Sequence, residues 1–125
     1  MSFPLWYKAV CLSMVQIIGT KKCPETRKAL RFCRERSLEH QFVDLAQRSL
    51  SDGEWESIFR HFSAEELIDE NGAFYRKEGY AWRAFDAKEE LMAHWQLLRT
   101  PVLRSKGACR VGCDTAFLLS HGAAS

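Results

Sequence analysis

The residues best equipped for chemistry in this chain are Cys23-Pro24-Glu25-Thr26-Arg27, which follow Thr20-Lys21-Lys22. Pro24 suits the first position of a helix, because its missing N–H would be unpaired there anyway. Glu25 in the first turn complements the helix dipole. Cys23 then stands at a helix N-terminus, where unpaired N–H groups and about half a positive charge favour a thiolate over a thiol. Lys21, Lys22 and Arg27 add positive charge nearby. Thiols so placed fall from about 8.5 into the range of about 3.5–7.5. The thiolate is the attacking species in disulfide exchange and at oxyanion centres. Thr26 occupies the place where a dithiol site would carry its second cysteine, so this site cannot close its own disulfide. Its hydroxyl can donate to the thiolate, or it can simply pack in the first helical turn. Arg27 can hold an oxyanion or a carboxylate, or stand as a solvated cation.

The elements around this site follow from pattern. Met14-Val15-Gln16-Ile17-Ile18 is short, apolar and rich in β-branched residues, and Gly19 ends it, which predicts a buried strand. A helix runs from Pro24 through Arg36, with Ala29, Leu30 and Cys33 on one face. Gln41-Phe42-Val43-Asp44-Leu45 gives a second strand, completing a βαβ unit with parallel strands. Ser51-Asp52-Gly53-Glu54 and Ser63-Ala64-Glu65-Glu66 are capping boxes, the second opening a short helix to about Ile68. Trp55, Ile58, Phe59 and Phe62 follow the first at helical spacing. Glu70-Asn71-Gly72 is a turn, and Arg76 and Lys77 are expected on a loop or strand edge, solvated or touching a phosphate or a partner. Asp86-Ala87-Lys88-Glu89 is a third capping box, with Leu91, Trp95 and Leu98 as the apolar stripe behind it. Val102 to Arg104 and Ala108 to Val111 form a hairpin around Ser105-Lys106-Gly107, and Asp114 caps a closing helix from Thr115 to about Ser120. The order βαβ, helical insert, ββα is an α/β fold with a four-stranded mixed sheet, the thioredoxin arrangement. Residues 1–13 stand outside this pattern as an N-terminal extension to a single domain over 14–125. A cis bond at Thr100-Pro101 would expose backbone groups able to pair an incoming extended chain.

The remaining residues offer little chemistry. Five cysteines (Cys11, Cys23, Cys33, Cys109 and Cys113), with no apolar leader ahead of them, argue against a disulfide framework and for the cytoplasm. Cys109 and Cys113 with His121 are spaced unlike a zinc site, so no metal is expected, though either cysteine could resolve a bond formed at Cys23. His40, His61, His94 and His121 form no ligand pattern. Trp55 and Trp95 are core candidates rather than a base-stacking platform. A formal net charge of +2 is too mild for a nucleic-acid footprint. No apolar run approaches the roughly 20 residues of a membrane span.

Taken together, the opening Gly19 to Leu30 with Phe42-Val43-Asp44-Leu45, the middle Leu67-Ile68, Asn71-Gly72 and Tyr75-Arg76-Lys77, and the closing Thr100-Pro101-Val102-Leu103, Gly107 and Val111-Gly112-Cys113-Asp114 resemble the arsenate reductase-like family. The resemblance covers about Met14 to Leu119. It implies a thioredoxin-like domain with a helical insertion, a nucleophile at Cys23, an anion-holding Arg27 and a cis bond before Pro101. It also implies a monothiol oxidoreductase of glutaredoxin-like chemistry, with glutathione as co-substrate and no bound cofactor. Such a protein acts as a monomer on a small thiol or disulfide, with Lys22, Thr100, Pro101 and Arg76 on the substrate side. The family's arsenate reductases carry cationic groups where this chain has Gly19, Asp69 and Thr100, and an oxyanion needs clustered cationic donors. The resemblance therefore carries thiol chemistry further than arsenate reduction. A Spx-like regulator that binds a protein partner without turnover, and a true arsenate reductase, are the two alternatives.

Overall fold

The computed structural model describes residues 15–105 and 107–122. The extension expected over residues 1–13, together with Cys11, Met14 and Lys106, lies outside them. Contacts divide the chain into two compact units, one made of residues up to Arg48 and from Thr100 onward, the other of Ser49–Arg99.

The first unit is a sheet with helices against it. Strand β1 (Val15–Gly19) leads through a tight turn to helix α1 (Pro24–Glu35), which returns to strand β2 (His40–Asp44). Strands β3 (Val102–Ser105) and β4 (Ala108–Val111) and helix α6 (Thr115–Gly122) complete the unit. The strand order is β2-β1-β3-β4. β1 runs parallel to β2, pairing Ile17 with Phe42, and antiparallel to β3, pairing Ile17 with Leu103. The sheet is thus mixed and four-stranded, as the sequence predicts. Val15, Ile17, Ala29, Cys33, Leu103, Phe117 and Leu118 form one buried cluster, drawn from β1, α1, β3 and α6. Val15, Ile17 and Gly19 share one face of β1 by its two-residue period, and Thr26, Ala29 and Cys33 are the buried face of α1.

Helix α1 ends in a motif that the sequence does not advertise. Ser37 takes a left-handed conformation with φ of 54°, and the Leu38 N–H donates to the Cys33 carbonyl at 2.9 Å. That is a Schellman closure with serine where glycine is usual. Ser37→Gly is expected to stabilise the protein by about 0.5–1 kcal/mol, because only glycine reaches this region without a Cβ penalty. Urea unfolding measures it, and an unchanged midpoint would count against a strained turn. β3 and β4 meet at Gly107, whose φ of 70° suits a tight hairpin. Asp114 caps α6 through its Oδ1, which accepts from the Phe117 N–H at 3.0 Å.

The second unit is helical: α2 (Asp52–Phe59), α3 (Ala64–Leu67), α4 (Ala73–Lys77) and α5 (Ala87–Ala93), with short 3-10 turns at Tyr80–Trp82 and Trp95–Leu97. Two of the three expected capping boxes form, Ser51 with Glu54 and Ser63 with Glu66; at the third, Asp86 Oδ1 accepts from the Glu89 N–H at 3.1 Å without the reciprocal bond. Two further expectations are corrected here. Arg76 and Lys77 sit on helix α4, not on a loop or strand edge. Phe74 and Tyr75 both pack their rings against buried Tyr80, and that tertiary contact holds a helix with no side-chain cap. The stripe Leu91, Trp95 and Leu98 is not one helix face either. α5 stops at His94, whose φ of −134° and ψ of 92° are extended, and Leu98 instead bridges to Ile68. Asp69 closes the turn before α4, its Oδ1 accepting from the Asn71 N–H at 3.1 Å.

Candidate functional site

The site is built from the end of β1, the tip of α1 and the segment entering β3. A turn closed by the Cys23 N–H on the Thr20 carbonyl, at 3.2 Å, carries the chain from the sheet to the helix. Cys23 is the N-cap residue of α1, extended at φ −81° and ψ 119°, and makes no side-chain cap of its own. Its carbonyl accepts the first helical bond, from the Arg27 N–H at 3.0 Å. The sulfur is half-buried, and as a thiol it donates to the Thr100 carbonyl at 3.5 Å. The Thr100–Pro101 bond is cis. The Pro101 carbonyl accepts from the Gly112 N–H at 2.8 Å, which ties this segment to the turn after β4.

Burial raises the Cys23 pKa, yet the balance is a lowered value. The Thr100 hydroxyl, the Thr26 hydroxyl, and the backbone N–H groups of Thr26 and Glu25 favour the thiolate and outweigh the loss of water. The two amides are donors left unpaired at the helix start. Thr26 is completely buried and its hydroxyl meets no conventional acceptor. Cys33, Cys109 and Cys113 behave oppositely. Burial pushes the Cys33 thiol up to about 11, with a smaller contribution from neighbouring Cys113, and burial raises Cys109 and Cys113 as well. Among the described residues, Cys23 is therefore the one cysteine whose surroundings favour the anion.

Cys33 supplies a pH prediction. Its native pKa is about 11, above the ordinary thiol value of about 8.5 in an unfolded chain. Between these values the unfolded chain has lost the proton while the native protein keeps it, so stability falls as pH rises and levels off near 11. The expected loss is about 2–3 kcal/mol. Denaturant unfolding from pH 8 to 11 measures it, and Cys33→Ala should flatten that slope. An equal slope in the variant would reject this assignment.

The expected site residues are distributed unevenly. Thr26 and Thr100 come together around the Cys23 sulfur, with Pro101 joined to Thr100 by the cis bond. Arg27 does not join them: with Lys21, Leu30, Arg34, His40 and Phe42 it lines a hollow of about 380 Å³ along α1 and β2. Lys22 is exposed at the turn before the helix. The expectation that Lys21, Lys22 and Arg27 help hold the thiolate is thus replaced by neutral donors, since no cation is among the groups that lower the thiol. The reason is geometric: Arg27 points outward from α1, whose buried face belongs to Thr26, Ala29 and Cys33. Arg76 is exposed in the second unit, on α4. Sequence reasoning missed the Thr100 hydroxyl as a donor. A threonine directly before the proline was its only signal.

Solved structures with this architecture are numerous. The YFFB protein superposes with a TM-score of 0.74 at 19% identity, over 88% of this chain and all of that one. An arsenate reductase from Vibrio cholerae gives 0.70 at 16% identity, over 86% of this chain and 97% of its own. An arsenate reductase related protein from Brucella melitensis gives 0.64 at 23% identity, over 86% and 93%. The chain has the arsenate reductase fold. No protein-family model matches its sequence, and no curated protein does either. Within the arsenate reductase fold, this chain uses the noted positions for other ends. Gly19 ends β1 against Thr26, Asp69 caps a turn, and Thr100 presents its carbonyl and hydroxyl to the sulfur. Arg99 beside it is engaged elsewhere, its Nε donating to the Glu66 carbonyl at 3.0 Å. No helix among the described residues is long and apolar enough to cross a membrane.

Proposed function

We propose that this chain is a monothiol thiol–disulfide oxidoreductase of the arsenate reductase-like family, working in the cytoplasm with a small thiol of the glutathione class. The observation that supports this reading is the lowered thiol of Cys23 beside three cysteines whose thiols are raised. The Cys23 thiolate attacks one sulfur of a disulfide. The S–S bond of the substrate breaks, a mixed disulfide forms on Cys23, and the departing thiolate takes a proton from solvent. A second thiolate then attacks the mixed disulfide, which returns Cys23 as an anion and leaves the pair of outside thiols oxidised. The donors around the sulfur make the thiolate both the resting nucleophile and the leaving group of the second step. Thr100 and Pro101 present backbone to the incoming chain, and exposed Lys22, at the turn before the helix, meets its carboxylates.

Arsenate reduction is the weaker reading, because a multiply charged oxyanion needs clustered cations, and the groups that support the sulfur are all uncharged. The test is mass spectrometry after treatment with oxidised glutathione. A single glutathione adduct on Cys23, reversed by excess thiol, is the expected result. Labelling of another cysteine in its place would end the proposal. Partner binding by Cys23→Ser at wild-type strength, with no exchange by the wild type, would favour a regulator without turnover.

A further inference from the structure

The first turn of α1 lies unusually close to the end of β1. A Cβ placed on Gly19 would overlap the Thr26 hydroxyl oxygen, and would come within 2.9 Å of the Thr26 methyl and 3.2 Å of its Cβ. Contacts under about 3 Å essentially never occur for real Cβ atoms, so no side chain fits at position 19 while Thr26 stays where it is. The requirement is one of space, not of backbone conformation, since Gly19 is an ordinary strand residue on the face that meets α1. Its carbonyl accepts from the Leu45 N–H at 3.0 Å, so neighbouring β2 holds this strand end in place. Thr26 on its side is completely buried, and its hydroxyl has no hydrogen-bond partner. A buried hydroxyl without a partner is costly, and it persists where something else compensates. The Thr26 hydroxyl is among the groups that favour the Cys23 thiolate, and a thiolate is a strong acceptor where a neutral thiol is a weak one.

We infer that Gly19 is a positioning residue for the nucleophile: by offering no side chain it admits the Thr26 hydroxyl to the gap between β1 and α1, where that hydroxyl serves the Cys23 sulfur, so that positions 19 and 26 work as a matched pair. The inference rests on the proposed role of Cys23 as nucleophile and adds what sets its donor shell. It also defines an exclusion. In this chain a side chain at position 19 and the Thr26 hydroxyl in its present place exclude each other.

The experiment is a thiolate titration by ultraviolet absorbance on Gly19→Ala, Thr26→Val, Thr26→Ser and the double variant Gly19→Ala/Thr26→Val, with Cys23→Ser as the blank. Thr26→Val keeps the shape and removes the donor, and should raise the Cys23 pKa by about one pH unit, the loss of one hydrogen bond to a charged group. Thr26→Ser should restore it. Gly19→Ala should raise it to a similar level, and the double variant should show no further rise, because both changes remove the same donor. Additive shifts, or an unchanged pKa in folded Gly19→Ala, would overturn the pairing. Should Gly19→Ala fail to fold, an unchanged pKa in Thr26→Val alone overturns it. A wild-type Cys23 that titrates like a free thiol would instead defeat the proposed function, a distinct result. A merely structural threonine would change the melting temperature in these variants and leave the titration where it was.

Discussion

Replacing Cys23 by serine is expected to abolish disulfide exchange while leaving the fold intact or slightly firmer. The activity loss follows from the nucleophile's chemistry. Exchange proceeds through the thiolate, and a serine hydroxyl in the same place does not ionise near neutral pH. The loss should be on the order of a thousandfold or more, the scale seen when a nucleophile is removed from an otherwise complete site. The stability gain follows from position. Cys23 is the N-cap of α1 and makes no side-chain cap bond, whereas serine is among the best N-cap residues, stabilising by about 1 kcal/mol relative to a residue that cannot cap. Exchange with a small aromatic disulfide, measured beside a urea melt, separates the two effects. Retained exchange would move the chemistry to another cysteine, and a large fall in stability would mean that the sulfur is chiefly a packing group.

The second large effect concerns the sheet that places the site. Ile17 is fully buried at the centre of β1, between Phe42 on one neighbouring strand and Leu103 on the other, and belongs to the cluster formed with Ala29, Cys33 and Leu118. Ile17→Ala is expected to cost about 2–5 kcal/mol, from lost transfer energy and the cavity left behind. That is a large share of a typical domain stability of about 5–15 kcal/mol. Two residues on, the same strand face carries Gly19, so any loosening of β1 also moves the wall against which Thr26 rests. Denaturant unfolding gives the first number. A cost under about 1 kcal/mol would mean that the cluster relaxes around the gap, and that β1 is less rigid than its burial implies.

Local signals carried most of the fold. Pro24 and Glu25 marked the start of α1, the serine boxes at Ser51 and Ser63 marked two more helices, and the β-branched run ending at Gly19 marked β1. Failures came where a distant partner decides. Helix α4 has no cap or stripe of its own and depends on Tyr80. The break at His94 depends on Leu97 and Leu98 turning away to meet Asp69 and Ile68. Ser37 shows a third case: its left-handed turn is imposed by the closure of α1 onto Leu38, against the residue's own preference.

The site was legible in part for the same reason. The helix tip and its cysteine are adjacent in sequence, so the chemistry of Cys23 could be read from neighbours alone. The Thr100 hydroxyl reaches the sulfur from the far end of the chain, and nothing local to Cys23 announces it. Arg27 was misplaced because it lies one residue, about 100° of helix, past buried Thr26, which turns its side chain to the outer face, where it joins Lys21 and Arg34 rather than the thiol. Gly19 could be seen as a missing side chain in the sequence, but its use, as room for Thr26, needed coordinates.

The account is tested most directly by alkylating the folded protein over a range of pH and quantifying each cysteine by peptide mass spectrometry. Cys23 should react first, with a midpoint below the free-thiol value of about 8.5, while Cys33, Cys109 and Cys113 stay protected until far more alkaline conditions. A Cys23 midpoint at or above that of a free thiol, or earlier reaction at any of those three cysteines, would contradict it.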